Sequence, residues 1–426
     1  MAAGSAKLTR AAGRALAAAS ALLLVVGCLL PPPLGHLLVA VGTSGLACSL
    51  YFSRRFANYQ FTAWIIAVVT AAMLFPSQCL HPAGWDLRNK WVMLIAIQCV
   101  MFGMGTQMRL QDFAGVLKSP RGVLVGILCH FTVMPLVGWL LTKLFHFPPE
   151  IAAGVILIGS CSSGLASNVM AFMARSNLAL SVTVTAVTTL IAPLLTPLWM
   201  KLLAGTLVQV SFVNLMLEIV KIMLVPIGAA LLHDYLRRAS PAGQNLTLGL
   251  AGFAAFWLLA LAAGLWGCLA PHCSENALTL LSLGGFLLSA ALLGVLYHWL
   301  VQRHPAVDRA MPTLAIVGIL YVTAMTTAAG RDNLLQVGGF LFLAAALHNT
   351  AGYVAGYWLS RGAGLDRNSA RSVAFEVGLQ NGGMASGLAS AMGKLGTVGL
   401  AAAIFIPWMN ISGSLLANYW RKRPAR

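Results

Sequence analysis

Acidic side chains are scarce in this chain. Only 10 of its 426 residues are Asp or Glu, and all charged types together make up 9%. Soluble domains carry about 25% charged residues, so a soluble globular domain is excluded. Cysteine pairs of the metal-binding kind are also lacking. The eight cysteines stand at 28, 48, 79, 99, 129, 161, 268 and 273, with no CxxC among them. That spacing gives no zinc or dithiol centre, and most of them read as small core residues. Only Cys268 and Cys273 flank one short loop, where they could pair if it faced an oxidising space. What the chain has in abundance is apolar surface, at 59% hydrophobic residues. Apolar runs of bilayer length fall at about 15–33, 35–52, 60–78, 90–106, 122–145, 151–173, 178–203, 213–233, 246–268, 277–301, 311–330, 334–359, 370–392 and 397–419. These fourteen runs predict an all-α polytopic membrane protein.

The formal net charge of +17 first suggests a polyanionic partner. Its distribution points elsewhere. With the N-terminus in the cytoplasm, twenty basic residues fall in inside loops, among them Arg54, Arg55, Arg109, Arg237, Arg303, Arg371 and Arg426. Six fall outside: Arg88, Lys90, Lys143, Lys201, Arg331 and Lys394. That asymmetry is a positive-inside signal. It places both termini in the cytoplasm and leaves nucleic acid with no support. Lys7, Arg10 and Arg14 before an apolar run also resemble a signal peptide, Val25–Cys28 loosely resembles a lipid-attachment site, and the Ala- and Arg-rich start resembles a transit sequence. A retained first span is preferred, because a second apolar run ending at Arg54-Arg55 completes a hairpin. The expected location is a bacterial plasma membrane, with an organelle envelope as the alternative.

Glu376 breaks the acidic pattern. It sits mid-span in "SVAFEVGLQNGGM" (372–384), where an ionised carboxylate costs several kcal/mol unless compensated. A second polar, glycine-bearing stretch, "GSCSSGLASN" (159–168), lies in an earlier span. Glycine frees the backbone from helical geometry, and irregular backbone at that depth is tolerated only inside protein or along a cavity. Two such interrupted spans point to an ion and substrate site in a transporter. Small residues also serve tight helix packing, which accounts for Gly382, Gly383 and Ala385 but not for Glu376, Gln380 and Asn381 together. Lys221 is a remote counter-charge, with Glu218 three residues away as its own partner. A bound Na⁺ is the other solution, and Ser167, Asn168, Ser181, Thr185, Glu376 and Gln380 supply the oxygens it needs.

At these residues the chain resembles the bile acid:sodium symporter family. The resemblance runs from about Phe61 to Trp420 and is carried by "MFGMGTQMRLQDFAGVLKSP" (101–120), "GVILIGSCSSGLASNVMAFMARSNLALSVTVTAVTTLIAPLLTP" (154–197), "LHNTAGYVAGY" (347–357), "FEVGLQNGG" (375–383) and "NISGSLLANYW" (410–420). It implies a ten-helix core of two inverted five-helix repeats, with two discontinuous crossing helices and a panel domain facing a core domain. It also implies movement of a small organic anion with Na⁺. About four further spans lie outside that core. The implied division is an N-terminal hairpin at 1–56, the first repeat and the start of the second at 57–240, an inserted hairpin at 241–305, and the remainder of the second repeat at 306–426. The family's first sodium site falls on Ser167, Asn168, Ser181, Thr185 and Glu376. Its second falls on Glu376, Gln380, the carbonyls of Val377 and Leu379, and His130, where relatives usually carry glutamine. Substrate positions fall on Leu165, Asn381, Met409 and Asn410. Leu165 replaces a threonine, and Met409 stands where histidine can occur, so the pocket is less polar than a small hydroxy acid would favour. A proton-coupled or sodium-independent carrier of the same fold is the alternative function. A more distant one is an intramembrane hydrolase, with Ser162 or Ser163 as nucleophile and His130 or His348 as base.

Overall fold

The computed structural model describes residues 2–53 and 59–423; Arg54, Arg55 and Arg426 lie outside them, and the side chains of residues 2–10 and 276 are not described. Each of the fourteen apolar runs is helical. The N-terminal hairpin is α1 (Ala2–Leu29) and α2 (Leu34–Leu50). Then come α3 (Gln60–Leu74), α4 (Lys90–Gly105) and α5 (Pro120–Phe145). The run at 151–173 is broken into α6 (Pro149–Ser160) and α7 (Ala166–Met173). After it stand α8 (Leu178–Trp199) and α9 (Phe212–Leu236). The inserted pair is α10 (Pro241–Ala262) and α11 (Glu275–Arg303). The chain then continues through α12 (Ala306–Ala329) and α13 (Arg331–Gly362). The run at 370–392 is broken into α14 (Arg367–Gly378) and α15 (Gly382–Ala391), and α16 (Leu400–Arg421) closes the fold.

The two interrupted spans are each the fourth in a run of five, counting from α3 and from α9 with the inserted pair set aside. One layer packs α5, α7, α8, α13, α14 and α16 around the breaks, with α6 against α5. A second layer joins α3, α4, α9 and α12. The layers meet where α15 and α16 face α4, α9 and α12. The N-terminal hairpin leans on α3 through α2, and the inserted hairpin leans on α9 through α11.

Local chemistry sets the ends. Asn89, Asn177, Asp366 and Asn381 each accept a backbone N–H at the start of α4, α8, α14 and α15, satisfying donors that have no partner in the first turn. α9 holds a wide turn at Val220–Leu224 just before Pro226. Proline has no N–H to give. The carbonyl of Lys221, five residues before it, instead lies 3.4 Å from Gln98 Nε2. Cys268 and Cys273 are both free thiols. Cys268 is exposed on the short helix Leu265–Leu269, and the turn after it is closed by His272 Nδ1 on the Cys268 carbonyl at 3.0 Å rather than by a disulfide.

Candidate functional site

The two breaks cross and are stitched backbone to backbone. Ser163 and Gln380 form an antiparallel bridge. The N–H of Gly164 donates to the Leu379 carbonyl at 2.8 Å, and that of Asn381 to the Ser162 carbonyl at 2.8 Å. Backbone groups freed where the helices stop are thereby satisfied, as they must be away from water. Gly164 is needed for the approach: a Cβ there would stand 2.7 Å from the Gln380 carbonyl oxygen.

His130, on α5, braces the same crossing. Its ring is fully buried. Nδ1 lies 2.9 Å from the Glu376 backbone carbonyl and Nε2 lies 2.8 Å from the Cys161 carbonyl. Each nitrogen thus faces a carbonyl from a different broken span, and in the neutral ring one of them donates while the other presents a lone pair.

The Glu376 carboxylate is fully buried. The hydroxyls of Ser167 and Ser181 donate to Oε1, each at 2.5 Å, and that of Thr185 donates to Oε2 at 2.7 Å. Ser181 and Thr185 can do so together because four residues apart is one helical face. Asn168 turns its amide oxygen to the same group, 2.9 Å from Ser181 Oγ and 3.3 Å from Thr185 Oγ1. Ser167 Oγ is also 2.8 Å from the Gly164 carbonyl. With Ser163, whose Oγ lies 3.4 Å from both Ser167 Oγ and the Leu379 carbonyl, four hydroxyl protons face five carbonyl and carboxylate oxygens: two on Glu376 and one each on Asn168, Gly164 and Leu379. Among the described residues no ion pair reaches Glu376. Lys221 is spent on Glu218, at 2.8 Å. Lone pairs exceed protons around a buried negative charge, and a hard cation fits that donor set.

The remaining cation candidates sit beside this cluster but are differently engaged. The Val377 carbonyl accepts from Gln380 Nε2 at 2.6 Å, while the Leu379 carbonyl accepts from Gly164. Gln380 Oε1 is buried and has no hydrogen-bond partner among the described residues. The substrate candidates come together: Leu165, Asn381, Met409 and Asn410 all line one cavity of about 420 Å³ between the two layers. Asn381 caps α15 with its oxygen and Asn410 donates to the Ile406 carbonyl at 2.8 Å. Beyond the cavity, Ile97, Val100, Ile319, Val322 and Ile406 close on Gly383, leaving space of about 10 Å³.

Ser162 and Ser163 have partners other than the two histidines. Ser162 Oγ faces Met384 Sδ at 3.8 Å, and Ser163 Oγ faces Ser167 Oγ and the Leu379 carbonyl, each at 3.4 Å. His130 is engaged by carbonyls on both sides and His348 Nε2 by the Met134 carbonyl at 3.1 Å, so no serine–histidine pair forms. Two roles escaped the sequence reading. Ser163 forms the bridge itself. Asn349, inside "LHNTAGYVAGY", donates to the Gly378 carbonyl at 2.7 Å and ties α13 to the second break. Its place within a motif was the available signal.

The chain is 32% identical over 370 residues to the "Uncharacterized sodium-dependent transporter YocS" of Bacillus subtilis, covering 87% of this chain and 93% of that one. The model of the "Sodium Bile acid symporter family" matches residues 94–267. The chain belongs to the sodium bile acid symporter family. Within it, the chain is 26% identical to the "Probable sodium/metabolite cotransporter BASS1, chloroplastic" of Arabidopsis thaliana, over 87% of this chain and 75% of that one. It is 28% identical to the human "Ileal sodium/bile acid cotransporter", over 68% of this chain and 66% of that one. These relatives are transporters rather than enzymes. Among solved structures, the sodium proton antiporter MjNhaP1 of Methanocaldococcus jannaschii matches with a TM-score of 0.52 at 13% identity, covering 91% of this chain and 99% of that one. At that identity the fold alone is shared. This member of the symporter family is thus an all-helical, multi-pass membrane transporter.

Proposed function

We propose that this symporter-family protein couples the downhill movement of Na⁺ to the movement of an organic anion by alternating access. The observation that carries the proposal is the surplus of acceptor oxygens around a buried carboxylate that has no cationic side chain beside it. Sodium is cargo here: Ser167, Asn168, Ser181, Thr185 and Glu376 would hold it and keep Glu376 ionised. The anion would sit in the 420 Å³ cavity against Leu165, Asn381 and Met409, near the N-terminal ends of α7 and α15, which favour negative charge. Its largely apolar lining suits an anion with an apolar body. Movement of the α5–α8 and α13–α16 layer against the α3, α4, α9 and α12 layer would then expose the site alternately. The test is counterflow and Na⁺-gradient-driven uptake of candidate organic anions in proteoliposomes. Uptake indifferent to Na⁺ would overturn the coupling.

One Na⁺ per cycle fits the site best. At the second position the neutral His130 ring offers at most one lone pair, the Val377 carbonyl already accepts from Gln380 and the Leu379 carbonyl from Gly164, and Gln380 Oε1 is the one side-chain oxygen left without a partner among the described residues. The expected Hill coefficient for Na⁺ is near one, rising in His130→Gln as an amide oxygen is offered to a second ion. Steep two-sodium cooperativity in the unaltered protein would count against this stoichiometry.

The basic-residue asymmetry supports both termini in the cytoplasm and the Pro271–Ser274 turn outside. The chain would then divide at 57, 241 and 306 into an N-terminal hairpin, the first repeat with the start of the second, an inserted hairpin and the rest of the second repeat. Cys273 is accordingly expected to react with a membrane-impermeant thiol reagent in intact cells. Labelling only after permeabilisation would reverse the orientation.

A further inference from the structure

Three helix ends meet on the side of the bundle where the basic residues concentrate: the last turns of α13 and α16 and the first turn of α14. Between them stands Arg371, only 8% exposed. Its guanidinium donates to the Arg423 carbonyl at 2.8 Å and lies 5.5 Å from the centre of the Trp420 ring. Nε is buried with no hydrogen-bond partner, and among the described residues no carboxylate pairs with the group. The other groups that face it are the Arg367 guanidinium, a like charge, and the phenols of Tyr357 and Tyr419. A guanidinium has five N–H donors and cannot shed its proton. One carbonyl and one ring do not balance it, and a buried charge without a counter-charge is costly.

The helices beside Arg371 carry a second pattern. On α13, Val354, Trp358 and Arg361 share one exposed face; on α16, Leu415, Tyr419 and Lys422 share another. Each face runs from aliphatic to aromatic to basic toward the same end of the bundle. Between the two helices Tyr357 and Trp420 close on each other, with ring centres 5.9 Å apart. That order follows a lipid leaflet: acyl chains, then the interface where Trp and Tyr collect, then the headgroups.

We infer that an anionic phospholipid docks between the ends of α13 and α16, with its phosphate against the guanidiniums of Arg371 and Arg423 and its acyl chains along the two exposed faces. The phosphate supplies the counter-charge that Arg371 lacks, and a guanidinium fork fits phosphate oxygens. Basic pockets between spanning helices on the cytoplasmic side hold lipid headgroups in this way. A soluble anion would meet the same guanidiniums and leave both apolar faces uncovered, so a lipid is the occupant that the whole surface fits. The inference does not depend on the transport reading. It concerns the layer that bears the cation cluster, since α14 carries both Arg371 and Glu376.

The experiment measures lipid retained by the purified full chain in native mass spectrometry, with phosphatidylglycerol and phosphatidylcholine of matched chains supplied in equal amounts. Phosphatidylglycerol should be retained in preference. Arg371→Gln should cut that preference about fivefold, the weight of one basic residue at a lipid surface. Arg423→Gln should do the same, and because Arg423 is exposed that variant guards against misfolding of the first. Arg303→Gln is the control. It removes a charge from the same side of the bundle, where Arg303 lies 4.0 Å from the centre of the Trp299 ring, and should leave the preference unchanged. No preference in the unaltered protein, a preference unchanged in either Arg371→Gln or Arg423→Gln, or an equal loss in Arg303→Gln would overturn the inference. Displacement of the lipid by an equal concentration of inorganic phosphate would also overturn it, as the mark of a site for a free anion.

Discussion

Glu376→Gln is expected to leave the protein folded in the membrane and to reduce sodium-dependent uptake by more than about a hundredfold. Glutamine matches the shape of glutamate, and the three hydroxyls around it can rotate to accept from its amide as well as donate to it. The packing therefore survives. What disappears is the full negative charge that offsets a cation at this depth. A charged contact of this kind is worth about 3 kcal/mol when buried, and each 1.4 kcal/mol is about tenfold in affinity. Uptake driven by a Na⁺ gradient in proteoliposomes, beside a size-exclusion profile of the purified variant, measures both parts. An unchanged sodium response would remove the basis of the coupling mechanism.

Gly164→Ala is expected to damage the crossing directly. The new Cβ would stand 2.7 Å from the carbonyl oxygen of Gln380 and 3.2 Å from its carbonyl carbon. Both are backbone atoms of the bridge and cannot turn aside as a side chain would. Overpacking of this sort costs about 1–3 kcal/mol. Either the bridge opens or the two breaks move apart, and in both cases Ser167 on one side and Glu376 on the other lose register. Transport should fall roughly tenfold or more, by the same free-energy scale, with a lowered thermal midpoint. Gly249→Ala is the control, since a Cβ there meets nothing within 4 Å. Equal behaviour of the two variants would show that the crossing tolerates the methyl group.

Much of this architecture was legible in the residue order. The fourteen apolar runs are helices because bilayer-length hydrophobicity leaves the backbone no other way to satisfy its hydrogen bonds. The two interruptions were visible because polar and glycine residues cluster at mid-depth for no other good reason. The oxygens of Ser167, Asn168, Ser181, Thr185 and Glu376 were nameable for the same cause. Other features depend on which helices become neighbours. Nothing local to His130 says that its ring spans two carbonyls from residues 161 and 376. Nothing local to Gly164 says that Gln380 lies across from it.

The two broken spans and the turns beside them are held together beyond the cluster itself. Their midpoints share the backbone bridge. At one end Glu150 pairs with Lys394. At the other, Asn177 Nδ2 donates to Ser369 Oγ at 3.1 Å and Ser372 Oγ donates to the Asn177 carbonyl at 2.8 Å. On the sodium-coupled reading proposed above, a cation held in the fully buried cluster would travel with this body rather than be let go by its two halves parting. Collective movements of packed helices take microseconds to milliseconds, so the swing of the whole body, and not an opening of the crossing, would set the pace of each cycle.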